Sequence, residues 1–579
     1  WYGRGRTHPA RRVSTAGRGG VCTPYGVPVA EEARARTGRW WKVLLAVGAV
    51  LLVLVVVLTQ VALWGSRGNL AAFVDGQRDP GPELTPTVST DPPDVEPYQV
   101  ALTVGTETLR EVDERYLSFA IDTSAVVGGK WWDPRAESTE GGSGTVNAPI
   151  FDFARDRLDV LTSALAPAIL RIGGSEADKV FYDPRVTSGS PDPPEGYESV
   201  MTGEQWDDVT DFADRNGLDL VFTLNAGPAA RDEVGVWQPE NAEALLAYSR
   251  EQGDDVAGWE LGNELNLYWF VHGLGDQVPA EQYADDLRAA RDLVGEYYPS
   301  SDVSGQGAAF WPVFGEPLGV FFGFQDDYAR LSGTDTDVFS WHYYPQQSKR
   351  GQIASRRAYP GRLLDPSNLD EAAHWADRNA ALRDEHAPQA PLWLAETGNA
   401  QFGGEPGLSD RYLASLWWMD QLGLLARHEH DVVIRQTLAG SNYQLITDDT
   451  LEPLPDYWAS LLWKRLMGTE VLEAAASGED ADTLRVYAHR TPDADGVTLL
   501  AVNLDPQRQA EVALPELSGD RAVYAMTGPD LFGTDVLLNG ERLGLEGDAL
   551  PELVGEPLLA EADTVTINPL SYTFVTVMP

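Results

Sequence analysis

Cysteine is almost absent: Cys22 is the only one in 579 residues. No intrachain disulfide and no thiolate metal cluster can form, so both stability and chemistry must come from other side chains. Lysine is nearly as scarce, confined to Lys42, Lys130, Lys179, Lys349 and Lys464. The shortage of positive charge is sharper than the formal net charge of −45 suggests. Nine of the 43 basic residues, against two of the 88 acidic ones, precede residue 43, so the chain beyond Lys42 carries −52. Such a body repels nucleic acid, anionic lipid and polysulfated glycans. No second His or Cys lies at ligand spacing from His342, and neither a metal nor another cofactor is predicted. A G-x-G-x-x-G turn is also missing after the first strand-like run, which argues against dinucleotide binding.

What is present begins with a membrane signal. Val43 to Trp64 is a run of 22 residues without a charge, long enough to span a bilayer. Trp40, Trp41 and Trp64 flank it and the arginines lie upstream, which puts the N-terminus in the cytosol and the rest outside the cell membrane. A cleaved signal peptide is the competing reading, but the basic region is long and no small-x-small site follows. The expected layout is a basic cytosolic tail over 1–42, a transmembrane helix over 43–64 and an extracellular stalk rich in Pro, Asp and Thr over 65–97.

From Leu117 onward, short apolar runs alternate with helix-like segments. The strand-like runs are Leu117–Asp122, Ala168–Ile172, Leu218–Leu224, the Trp259 run, Asp302–Gln306, Val338–Tyr344, the Trp393 run and Val432–Gln436. Eight β/α units are the count of a closed (β/α)8 barrel over 111–468, with an open doubly wound sheet as the alternative. The Gly-rich Val126–Asn147 segment reads as a surface loop. After Gly468 the chain breaks into short alternating strands, a C-terminal β-sandwich over 469–579 that a strand over 98–110 can join.

Two of the apolar runs end in a glutamate: Gly258-Trp-Glu-Leu-Gly-Asn-Glu264 and Pro391-Leu-Trp-Leu-Ala-Glu396. In such barrels the chemistry sits at the C-terminal ends of the strands. Two carboxylates delivered there suit a retaining glycosidase, which needs an acid/base and a nucleophile about 5–5.5 Å apart. Glu264 is the candidate acid/base and Glu396 the candidate nucleophile. Around them the strand ends supply Asp122, Ser175, Asn263, Gln306, His342, Tyr344 and Gln436, hydrogen-bonding groups suited to sugar hydroxyls. Tyr344 is placed to donate to Glu396 and keep it ionised while Glu264 stays protonated. Glu176, Asp178 and Glu405 read as solvated loop charges, and Trp417 and Trp418 as core.

The motifs WELGNELN, LRIGGSEAD, SWHYYP, WLAET, VVIRQTLAGSNYQL and PLPDYWASLLWKRLMGT closely resemble glycoside hydrolase family 79, in its heparanase and bacterial β-glucuronidase branch. The resemblance runs from about Tyr98 to Val577. It implies a (β/α)8 barrel with a β-sandwich and retaining hydrolysis of β-linked glucuronic acid, the partner being a glucuronic-acid-containing glycan or glycoconjugate. By position, Glu264 matches the acid/base and Glu396 the nucleophile. Asp122, Ser175, Asn263, Gln306, Gln436 and Tyr443 match substrate contacts, and Tyr344 matches the tyrosine beside the nucleophile. The chain departs from the family at Gln401, where an aromatic residue is expected, and at Phe402, where a glycine is. The amides of Gly403 and Gly404 remain to hold a uronate carboxylate. Basic clusters for sulfate are missing and Phe181–Thr202 is too short for an excised linker, which implies a single-chain enzyme and argues against heparan sulfate as its substrate. A neutral-sugar glycosidase and a silent glycan-binding relative stay as alternatives, the latter opposed by the retention of both glutamates. No protein partner is expected.

Overall fold

The structure is a computed structural model. It describes residues 80–84 and 95–579, apart from 136–143, 187–188, 190, 306, 314, 317–324, 352–353, 479, 493–494, 516–518 and 560–563. The basic tail, the apolar run 43–64, most of the stalk and Gln306 therefore lie outside the described residues. Among those described, no helix is long and apolar enough to cross a membrane. The barrel and the sheet domain both fall in one compact unit, Ala71–Pro579.

Eight parallel strands form the barrel: β1 (Leu117–Asp122), β2 (Ala168–Gly173), β3 (Leu218–Leu224), β4 (Gly258–Leu261), β5 (Asp302–Ser304), β6 (Phe339–Tyr343), β7 (Leu392–Thr397) and β8 (Val432–Arg435). Their order in the sheet is β5-β4-β3-β2-β1-β8-β7-β6. Parallel bridges Ser304↔Val338 and Ala308↔Trp341 join the two ends. The sheet closes on itself, which a doubly wound fold does not do. Each strand is buried along most of its length and reads as an apolar run because a helix covers its outer face. The helix Gly203–Arg215, for example, starts in a reciprocal capping box between Thr202 and Gln205, which satisfies two otherwise orphaned N–H groups.

Alternation along the strands sorts side chains into two cores. Phe119, Leu170, Ile172 and Phe222 point outward and merge with the helices. Ala120, Ile169, Val221, Val338, Trp393, Val432 and Ile434 fill the barrel as a separate apolar plug. Toward the C-terminal rim the inward positions turn polar: Arg171, Thr223, Glu260, Ser340 and His342 are all buried. Polar groups in such a place are costly unless they pair with one another. The site is built from that necessity.

The C-terminal strands hydrogen-bond into one 11-stranded sheet rather than two separate ones. The linking element is Tyr98–Glu111, antiparallel to Glu470–Gly478 and parallel to Ala510–Ala513. Glu470–Gly478 carries no strand signal in sequence because five of its nine residues are Ala, Ser or Gly. The run Thr564–Val577 is two strands, Thr564–Ile567 and Ser571–Met578. Asn503 donates to the carbonyls of Ile567 and Asn568 and accepts from Tyr98, so distant strands of the sheet meet. Two loop assignments also change. The Val126–Asn147 segment begins in the end of a short helix (Thr123–Val127) and carries the pairing of Gly129–Trp132 with Thr145–Ala148. In the stalk, Gly81 lies against Gly361 and Arg362, and Leu84 packs on the barrel core.

The barrel meets the sheet domain along the helix Tyr412–Arg427, where a Cβ on Gly423 would sit 2.2 Å from the Tyr487 ring. Alanine is intrinsically better in a helix by about 1 kcal/mol, yet the clash outweighs this. Gly423→Ala is expected to lower the unfolding free energy by about 1–2 kcal/mol, read as a lower urea midpoint at unchanged m-value.

Candidate active site

Arg171 stands at the centre of the polar layer, 1% exposed. Its guanidinium donates to Glu260 Oε2 from Nε (3.1 Å) and Nη2 (2.7 Å), to Asn263 Oδ1 (2.9 Å) and to Glu396 Oε2 (2.9 Å). Thr223 adds a 2.6 Å bond to the same Glu260 oxygen. Burial works against the charge on Arg171, but Glu260 and Glu396 outweigh it and its pKa is raised. One cation thereby ties β2, β4 and β7 together.

Glu396 ends β7, where the pairing register slips on both sides, between Trp341 and His342 and between Leu394 and Thr397. Such a slip re-aims a side chain, and here it turns Glu396 into the cleft. Its Oε1 accepts from the Tyr344 hydroxyl at 2.7 Å. Glu264 follows β4 in a left-handed conformation, φ 56°, which costs a non-glycine residue about 1–3 kcal/mol. Its Oε1 lies 2.9 Å from His342 Nδ1, which is 3.8 Å from Glu396 Oε2. Glu264, His342 and Glu396 each bring a side-chain atom within 4.8 Å of the others. Both Glu396 oxygens already accept, one from Arg171 and one from Tyr344, an arrangement that holds the carboxyl ionised.

The two carboxyls are driven in opposite directions. Burial raises the pKa of Glu264, and the negative charge of Glu396 adds to this, against the bond from His342. Burial also acts on Glu396, but His342, Arg171 and the Tyr344 hydroxyl overcome it and hold its pKa below the ordinary value.

The other candidates surround this pair. Asn263 is positioned by Arg171, and Ser175 Oγ lies 3.5 Å from its Nδ2. Asp122 caps the following helix through the Ser124 N–H (2.9 Å), and burial lifts its carboxyl to about 8 against that bond. The Tyr443 ring lies 6.3 Å from Tyr344, and burial raises its pKa well above that of free tyrosine despite hydrogen bonding with Gln436. Gly403 and Gly404 are both left-handed, with φ of 75° and 78°. A Cβ on the first would strike the Trp132 ring, and one on the second would meet Ser409 and the Tyr443 nitrogen. Gln401 is turned into the loop network, accepting from Gln347 and donating to the Phe310 carbonyl, both at 2.8 Å.

The model of the glycosyl hydrolase family 79 N-terminal domain matches residues 104–423. The chain belongs to glycoside hydrolase family 79. Heparanase-like protein 1 of Arabidopsis thaliana is 32% identical over 71% of this chain and 74% of its own length. Heparanase of Bos taurus is 30% identical over 80% and 89%. Among solved structures, a 4-O-α-L-rhamnosyl-β-D-glucuronidase from Fusarium oxysporum 12S superposes with a TM-score of 0.59 at 14% identity, over 83% of this chain and all of that one. This last likeness is one of fold.

Several groups of this family 79 site escape sequence reasoning. Arg171 and Glu260 interrupt apolar strands, and a charge inside such a run is a signal that a buried partner exists. Asp178 and Glu405 are not solvated: they are 1% and 6% exposed. Asp178 accepts from the N–H groups of Ala226 (2.9 Å) and Asn263 (3.1 Å), and burial lifts its pKa to about 6. Glu405 accepts from Ser348 (2.8 Å) and the Lys349 N–H (2.7 Å). Trp417 and Trp418 are core, with the Arg435 guanidinium 5.4 Å from each ring.

Removing the central cation strands two buried carboxylates. Arg171→Met is expected to cost about 3–5 kcal/mol of unfolding free energy, measured by denaturant titration, and a loss below about 1 kcal/mol would contradict the ion-pair account.

Proposed function

We propose that this protein is a retaining glycoside hydrolase that releases β-linked glucuronic acid from glycans or glycoconjugates. The observation that carries the reading is the pair of oppositely shifted carboxyls within 4.8 Å. Retaining enzymes hold their carboxyls about 5–5.5 Å apart, and inverting ones leave about 6.5–9.5 Å for a water. Glu264, kept protonated, gives its proton to the glycosidic oxygen as Glu396 attacks the anomeric carbon. The bond to the leaving group breaks and a glycosyl ester to Glu396 forms. Glu264, now ionised, takes a proton from water as that water attacks the same carbon and frees Glu396. Asn263, fixed by Arg171, is placed to donate to the sugar 2-hydroxyl, a contact that strengthens in the transition state.

Choice of a uronate rests on the Gly403–Gly404 turn. Its two backbone N–H groups, on successive residues that the site's close packing keeps as glycine, are the donors we assign to the uronate carboxylate. Arg350, 5% exposed, lies behind the turn with Nη1 3.4 Å from the Gly403 carbonyl. A single carboxylate suits this site, whereas the charge of −52 beyond Lys42 disfavours a polysulfated chain. The heparanases to which the chain is similar support a glucuronide-containing substrate. We extend the reading to location: the apolar run 43–64 tethers the enzyme in a cell membrane with its barrel outside.

Aryl β-glucuronide is expected to be hydrolysed in preference to aryl β-glucoside and aryl β-xyloside. Preference for a neutral glycoside would replace the glucuronate assignment. Glu396→Gln is expected to abolish turnover. Glu264→Ala should slow a substrate with a poor leaving group by roughly 10²–10⁴-fold and an activated aryl substrate far less, because only the former needs the proton. The pH profile should be a bell: activity falls at low pH as Glu396 protonates and at high pH as Glu264 ionises. Tyr344→Phe removes a bond to the ionised Glu396, so its pKa rises and the acidic limb moves to higher pH while the basic limb stays.

A further inference from the structure

The hairpin of Gly129–Trp132 and Thr145–Ala148 is not needed to close the barrel, yet it is bonded into the site. The Trp132 ring lies so close to Gly403 that an added Cβ would come within 2.2 Å. The same ring makes an edge contact with Phe402 at 6.1 Å, and the Arg350 guanidinium lies 6.0 Å from it. Trp131 Nε1 is 3.4 Å from where a Cβ on Gly440 would sit. Beyond the tryptophans the chain is pinned by Arg350 donating to the Asp133 carbonyl (3.0 Å) and Asn442 to the Pro134 carbonyl (3.0 Å). Arg350 also bonds the Asn442 side chain. An excursion from β1 is thus fastened to the loops after β6, β7 and β8.

Its position has a direction. The leaving group must sit beside Glu264, just beyond β4. In an eight-strand ring in sequential order, β8 is opposite β4, so the other end of the bound sugar points toward β8 and β1. That is the side the hairpin covers. Two polar atoms there, Asp122 Oδ2 and Gln436 Oε1, are buried without a partner, on side chains 1% and 2% exposed. Buried polar groups of this kind call for a partner, and a sugar hydroxyl is one that would serve. An endo-acting cleft would need an open path at this end for the rest of the chain. On this side Trp131 lies beside Gly440 and Trp132 against Gly403, on the loops after β8 and β7.

We propose that the hairpin turns the cleft into a blind pocket, so that the enzyme removes a terminal glucuronosyl residue with a free 4-hydroxyl and does not cut within a chain. This rests on the retaining-glucuronidase reading and narrows its substrate class. The test compares 4-nitrophenyl β-glucuronide with the same glycoside carrying a glucose on its 4-hydroxyl, using the protein with its barrel and sheet domain intact. The extended substrate is expected to show a kcat/KM at least roughly 100-fold lower. In the Trp131→Ala/Trp132→Ala double variant that ratio should shrink by about tenfold or more. Turnover of both substrates by the unaltered protein within about threefold overturns the proposal, whatever the variant does. If the aryl glucuronide is not cleaved but a neutral aryl glycoside is, the uronate assignment has failed, and the same pair built on that sugar decides the pocket. No turnover of any glycoside overturns both.

Discussion

The barrel floor depends on a charge balance that has to close without water. Arg171 is the only cation that reaches both Glu260 and Glu396 among the described residues, and all three are buried. An ion pair at such depth adds little net stability compared with apolar packing, because desolvating the charges offsets their attraction. What it gives is position. The guanidinium is a rigid fork, and three of its nitrogens are spoken for by groups on β4, the turn after it, and β7. The orientation of Asn263 and the ionisation of Glu396 follow from one side chain.

Two glutamates a few ångströms apart would, left alone, share one pKa behaviour and one proton. Their surroundings break the symmetry. Glu396 receives a cation and a phenol hydroxyl, and Glu264 a histidine nitrogen in a poorly solvated place. The opposite shifts of the two carboxyls are written in their neighbours, since the two residues are chemically identical. The left-handed backbone at Glu264 accompanies this placement, with the carboxyl against His342.

The alternation of apolar runs and helical segments made the barrel legible before any coordinates, and a glutamate closing an apolar run marked the C-terminal rim. Each is a local signal with a fixed period or position. Arg171 and Glu260 are not marked out in the sequence because their meaning is mutual: either residue alone is an unexplained charge, and only the β2–β3–β4 geometry shows them to be partners. Asp178 and Glu405 look like solvated acids because their donors are backbone and hydroxyl groups remote in sequence. The pairing of Gly129–Trp132 with Thr145–Ala148 is hidden by the glycines around it, which read as loop composition, while its packing partners lie on the loops after β7 and β8. The strand Glu470–Gly478 was missed because alanine and serine carry little strand preference, and its partner Tyr98–Glu111 supplies the pairing instead.

The sheet domain bears on the chemistry through one helix. Tyr487 donates to Asp420 at 2.5 Å and Arg485 at 2.8 Å, so the sheet grips Tyr412–Arg427 at Asp420. The next residue, Gln421, donates to Thr397 Oγ1 at 2.7 Å, and Thr397 in turn donates to the Tyr343 carbonyl. Thr397 follows Glu396 directly and Tyr343 precedes Tyr344. Adjacent positions on a buried helix therefore connect the sheet on one side to the β6–β7 strand ends on the other. In the proposed reaction Glu396 must be held within a fraction of an ångström to attack efficiently. The sheet bonds the helix at Asp420, and the helix in turn bonds, through Gln421 and Thr397, the strand ends from which Glu396 and its hydroxyl donor project.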